Sequence, residues 1–147
     1  WSSDVCSSDL GQLDGAARDN ALDAVGESLK TVGREVRRRA PKARVLFVDY
    51  LTLLPPAGIS APPISDADAE VGRHVAARLA ELTAAAAADT GCELIPAAAS
   101  SADHHAWSSD PWTTNFYLPW PGRVAPLHPN AAGMRSVADL IVTALQS

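Results

Sequence analysis

The 147-residue sequence predicts an α/β domain built around a parallel sheet. Three amphipathic stretches with helical spacing are separated by two short apolar stretches that have the length of strands. This alternation is typical of parallel sheets, because two parallel strands must be joined by a crossover element, usually a helix. The length fits one domain, and the chain contains no internal repeat.

The first predicted helix runs from about Asp19 to Arg39 and ends before Pro41. Its apolar residues recur every three or four positions, so they share one face, which we expect to be buried. These residues are Leu22, Val25, Leu29, Val32 and Val36. Three arginines at 37–39 are favourable at the negative end of the helix dipole. We interpret them as a solvated helix end rather than a nucleic-acid patch.

The first predicted strand covers residues 44–50, with four consecutive apolar residues from Val45 to Val48. Such a run predicts a strand that is buried on both faces, as in a parallel sheet. Residues 54–65 then contain four prolines and a glycine, which indicates a long surface loop.

The second predicted helix opens at Ser65, with Asp66 and Asp68 as a capping arrangement, and ends at Gly91. We expect its buried face to consist of Val71, Val75, Leu79 and Leu82. Residues 93–95 form the second predicted strand.

The segment from Ser100 to Pro126 has no periodicity and holds most of the aromatic residues of the chain. A loop of this length is uncommon in a compact domain unless it builds a site. The last helix is predicted to start at Pro129, a favourable first helical residue. Its apolar stripe is Met134, Val137, Ala138, Ile141, Ala144 and Leu145.

Composition excludes several function classes. The net charge is −5, from 12 Lys and Arg against 17 Asp and Glu, which argues against nucleic acid as the main partner. No apolar run approaches the ~20 residues that cross a bilayer. We expect a monomer without a transmembrane segment.

Residues 1–10, with the sequence WSSDVCSSDL, resemble the translation of a sequencing-library adapter. They lack the charged and apolar regions of a signal peptide. We interpret them as non-native and residues 11–147 as the C-terminal part of a single domain; the alternative is an ordinary polar tail. Cys92 is then the one natural cysteine, since Cys6 lies in this segment, and it cannot form an internal disulfide.

His128 is the candidate catalytic residue. It lies between the aromatic loop and a predicted helix N-terminus, which is where α/β sheets place their sites. A histidine there can act as a general base, because imidazole titrates close to neutral pH. By spacing alone, a cap or surface residue is the commoner role for a histidine in this place.

The residues around His128 resemble a known family. The block Pro126-Leu-His-Pro-Asn-Ala-Ala-Gly-Met134 resembles the terminal block of the SGNH hydrolases, the GDSL lipase and esterase superfamily. Residues 38–56 resemble the family's third-strand region with its following loop, and residues 101–112 resemble the segment before the histidine in secreted actinobacterial members. The matches occur in the family's order and together span roughly residues 19–145.

This resemblance implies a flavodoxin-like three-layer α/β/α sandwich whose N-terminal strands are missing from this chain. It also implies an esterase or lipase that acts on small-molecule, lipid or carbohydrate esters outside the cell, without a metal or organic cofactor. In the family, the histidine that matches His128 activates a nucleophilic serine, and an acyl-enzyme forms.

Two departures from the family pattern matter. The Gly-Asp-Ser motif of the nucleophile is absent, since neither Ser3 nor Ser8 follows Gly-Asp, and Asn20 does not match the oxyanion-hole block. We therefore expect this chain alone to be inactive. Many members carry an Asp three residues before the histidine, where this chain has Ala125. The main-chain carbonyl of Ala125 is the expected substitute, with Asp103 or Asp110 as less favoured ones.

Other candidate residues have two interpretations each. The tryptophans of the loop either anchor it or line an acyl pocket; they are Trp107, Trp112 and Trp120. A metal site built from His104, His105, Asp103 and Asp110 is disfavoured, because adjacent histidines of an extended loop point in different directions. His74 is expected to be exposed on the second helix.

A second function class stays open at this stage. A relative without catalytic activity could bind carbohydrate or lipid through the aromatic loop. A phosphate-binding module is disfavoured, because no Gly-rich loop follows a strand. The upstream sequence distinguishes the first two: a Gly-Asp-Ser block there supports the esterase, and a start codon just before Gly11 excludes it.

Overall fold

The computed structural model describes residues 15–116 and 125–147, which contain two strands and four helices. In chain order they are α1 (Gly15–Arg39), β1 (Leu46–Val48), α2 (Asp66–Thr90), β2 (Glu93–Ile95), α3 (Ala97–Ser100) and α4 (Ala131–Gln146). β1 and β2 pair in parallel, with Leu46 opposite Glu93 and Val48 opposite Ile95. The predicted α/β class with a parallel sheet is confirmed, and the arrangement is consistent with a flavodoxin-like α/β/α fold.

α1 packs on α2 through a face that differs from the predicted one. Leu22, Gly26 and Gly33 are the buried residues of α1. Three residues of the predicted face are instead exposed, namely Val25, Val32 and Val36. The reason is that the two glycines lie directly against Leu82 and Thr90 of α2, so the contact is centred on the glycines and not on the valines.

In the described part of the chain, three polar side-chain pairs join α1 to α2 on the solvent side of this contact, two of them ion pairs and the third a hydrogen bond between a histidine and a carboxylate. They are Asp19–His74, Asp23–Arg78 and Lys30–Asp89, with N···O distances of 3.0, 2.8 and 3.0 Å. His74 is exposed, as predicted. Its hydrogen bond to Asp19 is the main reason that the pKa of the Asp19 carboxyl lies below its usual value.

β1 is less buried than its apolar sequence predicts. Leu46 and Phe47 are half-buried, and Val48 is 40% exposed. The expectation of burial on both faces was therefore wrong for this chain. Among the described residues β1 has a single neighbour, β2, and a two-stranded sheet cannot enclose a strand as a wide one does.

The predicted ends of α2 are confirmed. The Ser65 side chain accepts a hydrogen bond from the backbone N–H of Asp68 at 3.1 Å, and Gly91 closes the helix with φ 64°. The predicted buried face is only half-buried. The fully buried residues of α2 are alanines: Ala69, Ala86 and Ala87.

α4 begins at Ala131, two residues after the predicted start at Pro129. Asn130 is its N-cap and Pro129 lies outside the helix. Most of the predicted apolar stripe is not buried in this chain, since Gly133 is the one buried residue of α4 and Met134 is 66% exposed. At the other end, the Arg44 guanidinium joins the sheet to α4: it binds both carboxylate oxygens of Glu93 and donates to the carbonyls of Ala144 and Leu145.

No helix in the described ranges is both long enough and apolar enough to span a membrane.

Candidate active site at the histidine turn

His128 lies on an exposed turn that leads into α4. Its ring nitrogen Nδ1 lies 2.9 Å from the carbonyl oxygen of Pro126. Because a carbonyl can only accept, this geometry requires the proton of the neutral imidazole to be on Nδ1. Nε2 then keeps its lone pair, which is the form that a general base needs.

The carbonyl that orients His128 is therefore not the expected one. The carbonyl of Ala125 instead accepts a hydrogen bond from the Thr114 hydroxyl at 2.8 Å. The difference follows from Leu127, whose φ of 58° is left-handed and folds the chain back, so that the carbonyl two residues before the histidine lies beside its ring.

Neither of the loop carboxylates that we considered as substitutes is bonded to His128. Asp110 pairs with His104 instead: Nδ1 of His104 lies 2.8 Å from the Asp110 carbonyl oxygen and 3.3 Å from its carboxylate. Asp103 acts on His105, where its charge partly opposes a lowering of the His105 pKa that is due mainly to burial.

Thr114 connects the aromatic loop to the histidine turn. Its backbone N–H donates to the carbonyl of His128 at 2.8 Å, and its carbonyl accepts from the N–H of Leu127 at 3.1 Å. An antiparallel bridge between Thr113 and Pro129 extends this pairing. The turn is thus held against the loop by a short two-stranded ladder.

Asn130 and Gly133 dock the start of α4 onto the same loop. The Asn130 side-chain oxygen accepts from the N–H groups of Ala132 and Gly133, and its amide nitrogen donates to the Pro111 carbonyl at 2.6 Å. Its backbone N–H donates to the Trp112 carbonyl at 2.9 Å. At Gly133 the helix lies so close to the Trp112 carbonyl that a Cβ would collide with it. The Asn and the Gly of the histidine block are therefore explained by this contact.

The described tryptophans anchor the loop. The Trp112 indole stacks on the His104 ring, with centroids 4.1 Å apart and planes 9° from parallel. The Trp107 indole N–H donates to the Pro62 carbonyl at 3.0 Å. Of the two interpretations given for these residues, these contacts favour the anchors.

The four residues considered for a metal site do not converge. His104 is engaged by Asp110, and the His105 Nδ1 accepts the backbone N–H of Trp107 at 3.2 Å. In residues 15–116 and 125–147 no group of three or more His, Cys, Asp or Glu side chains could hold a metal ion.

A shallow depression of about 230 Å³ lies beside the N-terminus of α2, apart from the histidine turn, and is lined by Gly58, Ile59, Ser60, Asp66, Glu70 and Arg73. Its polar side chains satisfy one another: the Ser60 hydroxyl donates to Asp66 at 3.2 Å, and Arg73 pairs with Glu70 at 2.9 Å. Each of these four side chains is therefore engaged by a neighbour.

Some of the sequence-based interpretations concern residues outside the described ranges. These are the adapter-like segment 1–10 with Ser3, Cys6 and Ser8, and the part of the aromatic loop that contains Trp120.

Sequence reasoning missed Thr114, Pro126 and Leu127. A threonine in an aperiodic loop gives no signal until its pairing partner is known. A left-handed leucine gives none at all, since that conformation is typical of glycine and asparagine.

A protein-family model and a solved structure that match this chain agree with each other. The sequence model of the GDSL-like lipase/acylhydrolase family matches residues 3–136. The crystal structure of phospholipase A1 from Streptomyces albidoflavus NA297 is similar over 90% of this chain, with a TM-score of 0.68 and 26% sequence identity. This chain covers 56% of that protein, so it spans little more than half of its length. No curated protein matches the chain.

Proposed function

Because the chain belongs to the GDSL-like lipase/acylhydrolase family, we propose that it is part of a serine ester hydrolase in which His128 is the general base. The observation that carries the proposal is the contact between His128 Nδ1 and the Pro126 carbonyl at 2.9 Å. It fixes the tautomer whose Nε2 can take a proton from a hydroxyl.

The reaction would proceed in two steps through an acyl-enzyme. His128 Nε2 accepts the proton of the serine hydroxyl as its oxygen attacks the ester carbonyl, and the resulting imidazolium then protonates the leaving alcohol. Water, activated by the same nitrogen, hydrolyses the acyl-enzyme and restores the serine. The substrate class is an ester of a small molecule, a lipid or a carbohydrate.

The Pro126 carbonyl would replace the carboxylate of a Ser-His-Asp triad. A carbonyl dipole holds the ring and the tautomer as a carboxylate does, but it offers less electrostatic support to the imidazolium. We therefore infer a catalytic dyad with a carbonyl as its orienting group.

We further propose that the nucleophilic serine lies upstream of Gly11 in the whole protein. The absence of a Gly-Asp-Ser motif and the 56% coverage of the similar phospholipase support this. In the same proposal residues 1–10 are non-native, and the whole protein acts outside the cell as a monomer. The alternative of a lipid- or carbohydrate-binding module is not favoured, because Trp107 and Trp112 are used to anchor the loop.

Turnover of p-nitrophenyl esters by the whole protein tests the proposal. We expect His128→Ala to lower kcat at least about 10³-fold, since it removes the base from a unit that acts together. His74→Ala, which changes an exposed histidine on α2, is the matched control and should keep the rate. Unchanged turnover in His128→Ala, or an upstream region without a Gly-Asp-Ser block, would contradict the proposal.

A further inference from the structure

We propose that Thr114 is the positioning residue that sets the tautomer of His128. The inference rests on the proposed function, because the tautomer matters to the reaction only if His128 is the base. It starts from one arrangement: Thr114 bonds to residues on both sides of Pro126, whose carbonyl orients the ring.

The Thr114 hydroxyl spans the orienting carbonyl. It donates to the carbonyl of Ala125 at 2.8 Å and accepts from the backbone N–H of His128 at 3.1 Å. The backbone of Thr114 adds two bonds, to the carbonyl of His128 and from the N–H of Leu127. One residue of the loop thereby holds the residue before Pro126 and the two residues after it.

Pro126 has no hydrogen-bond donor that could fix its own position. Proline has no backbone N–H, so the direction of its carbonyl depends on the residues that flank it. The following residue, Leu127, is in the left-handed conformation, which a side chain with a Cβ disfavours. The turn therefore needs bonds from outside itself, and Thr114 supplies them.

The consequence for the base follows from the chemistry of imidazole. If the Pro126 carbonyl turns away, nothing in the described residues keeps the proton on Nδ1, and part of the population carries it on Nε2 instead. That form cannot accept a proton from serine. No carboxylate among the described residues bonds to His128 to take over this role.

The adjacent residue provides a matched control. Thr113 is 1% exposed, and its hydroxyl has no hydrogen-bond partner in the described part of the protein. Replacement of either threonine by valine keeps the shape and removes the hydroxyl. Only at position 114 does the change remove bonds to the histidine turn.

The experiment compares Thr114→Val, Thr114→Ser and Thr113→Val. The first readout is the pair of ¹⁵N shifts of the His128 ring in this chain at alkaline pH, where imidazole is neutral. Wild type, Thr114→Ser and Thr113→Val should carry the proton on Nδ1, whereas Thr114→Val should give averaged shifts from a mixture of tautomers. If Thr114 contributed only to stability, its replacement would not move these shifts. Circular dichroism and the unfolding midpoint measure stability separately.

The second readout is ester turnover by the whole protein. We expect Thr114→Val to lower kcat by roughly tenfold with little change in KM, because the base is present in its active form only part of the time. Thr114→Ser, which keeps the hydroxyl, should restore the rate.

The possible failures are distinguishable. If a folded Thr114→Val variant shows the ring shifts of the wild type, the inference is overturned and the proposed function stands. The same conclusion follows if Thr114→Ser lowers turnover as much as Thr114→Val does. Unchanged turnover in His128→Ala overturns the proposed function and the inference with it.

Discussion

Glycine brings secondary structure close together in two regions of this protein, but what it faces differs. In the α1–α2 contact, Gly26 and Gly33 lie against the side chains of Leu82 and Thr90. At the start of α4, Gly133 lies against the backbone carbonyl of Trp112. A side chain can rotate away from a new atom, whereas a paired backbone carbonyl cannot.

The difference separates a contact that can adjust from one that fixes a position. The Trp112 carbonyl already accepts the N–H of Asn130, so it is held by the same helix start that it limits. Any change in spacing there moves the residues next to His128. A change in the α1–α2 contact is absorbed by side chains at a distance from the candidate site.

The largest effect is expected at the contact that cannot adjust. Gly133→Ala places a Cβ against the Trp112 carbonyl and 3.0 Å from the Leu51 Cδ1, and we expect a loss of about 3 kcal/mol in the free energy of unfolding. Chemical denaturation of this chain measures it. Gly72→Ala is the control, because its Cβ would meet only the Cδ1 of Leu54, at 2.7 Å, and that side chain can move. Equal stability of the two variants would mean that a backbone carbonyl is no greater obstacle than a side chain that can move.

A smaller effect is expected at Gly33. Its Cβ would meet Thr90 Oγ1 at 2.5 Å, and Thr90 is restrained because its hydroxyl donates to the Ala86 carbonyl. Overpacking is partly offset by the better helix propensity of alanine, so we expect Gly33→Ala to cost about 1 kcal/mol. Denaturation of the double variant Gly33→Ala, Thr90→Ala should show most of the loss recovered. Additive losses would mean that Thr90 is not the obstacle.

Arg44 tests whether the two ends of α4 are independent. Arg44→Met removes the donor to the last carbonyls of α4 and the partner of Glu93, whose pKa it lowers. We expect faster hydrogen exchange in the last turn of α4 and unchanged exchange of the His128 and Asn130 amides. Arg44→Lys, which keeps the charge without the planar guanidinium, should give exchange rates between those of the wild type and of Arg44→Met. Faster exchange at the histidine turn would show that the Trp112–Gly133 contact alone does not fix it.

The smallest effect on stability is expected at the hydrogen bond between Asp19 of α1 and His74 of α2. The folded state lowers the pKa of Asp19 from its usual 3.8, mainly through the hydrogen bond with His74, so the folded state binds the proton less readily than the unfolded chain. The stabilisation is present above that usual value and is lost as the pH falls through the lowered pKa. The free energy of unfolding of Asp19→Asn should therefore depend less on pH in this range than that of the wild type. A steeper dependence would contradict the assignment.

The sequence was most informative where local chemistry decides the outcome. Ser65 and Gly91 end α2 as predicted, since capping depends on a few neighbouring residues. The face of α1 was misjudged because apolar periodicity does not register that glycine permits the closest approach of two helices. The burial of β1 was overestimated because the sequence of a strand does not determine how many strands lie beside it.

The candidate site, like the fold, was predictable from the sequence only where local chemistry decides it. His128, Asn130 and Gly133 belong to a short block whose chemistry is local, and the block indicated the family. The orienting carbonyl depends on a left-handed Leu127 and on hydrogen bonds from Thr114, fourteen residues away from His128. Pairings of that kind arise only when the chain is folded.

The amide of Asn130 has a consequence for how a stored sample would age. Hydrolysis of this side chain to a carboxylate leaves an oxygen that still accepts from the N–H groups of Ala132 and Gly133, so α4 keeps its cap. The donor to the Pro111 carbonyl is lost, and a negative oxygen faces that carbonyl in its place. Deamidation would therefore weaken the contact between α4 and the aromatic loop while the helical signal stays intact, so mass spectrometry would detect the damage and circular dichroism would not.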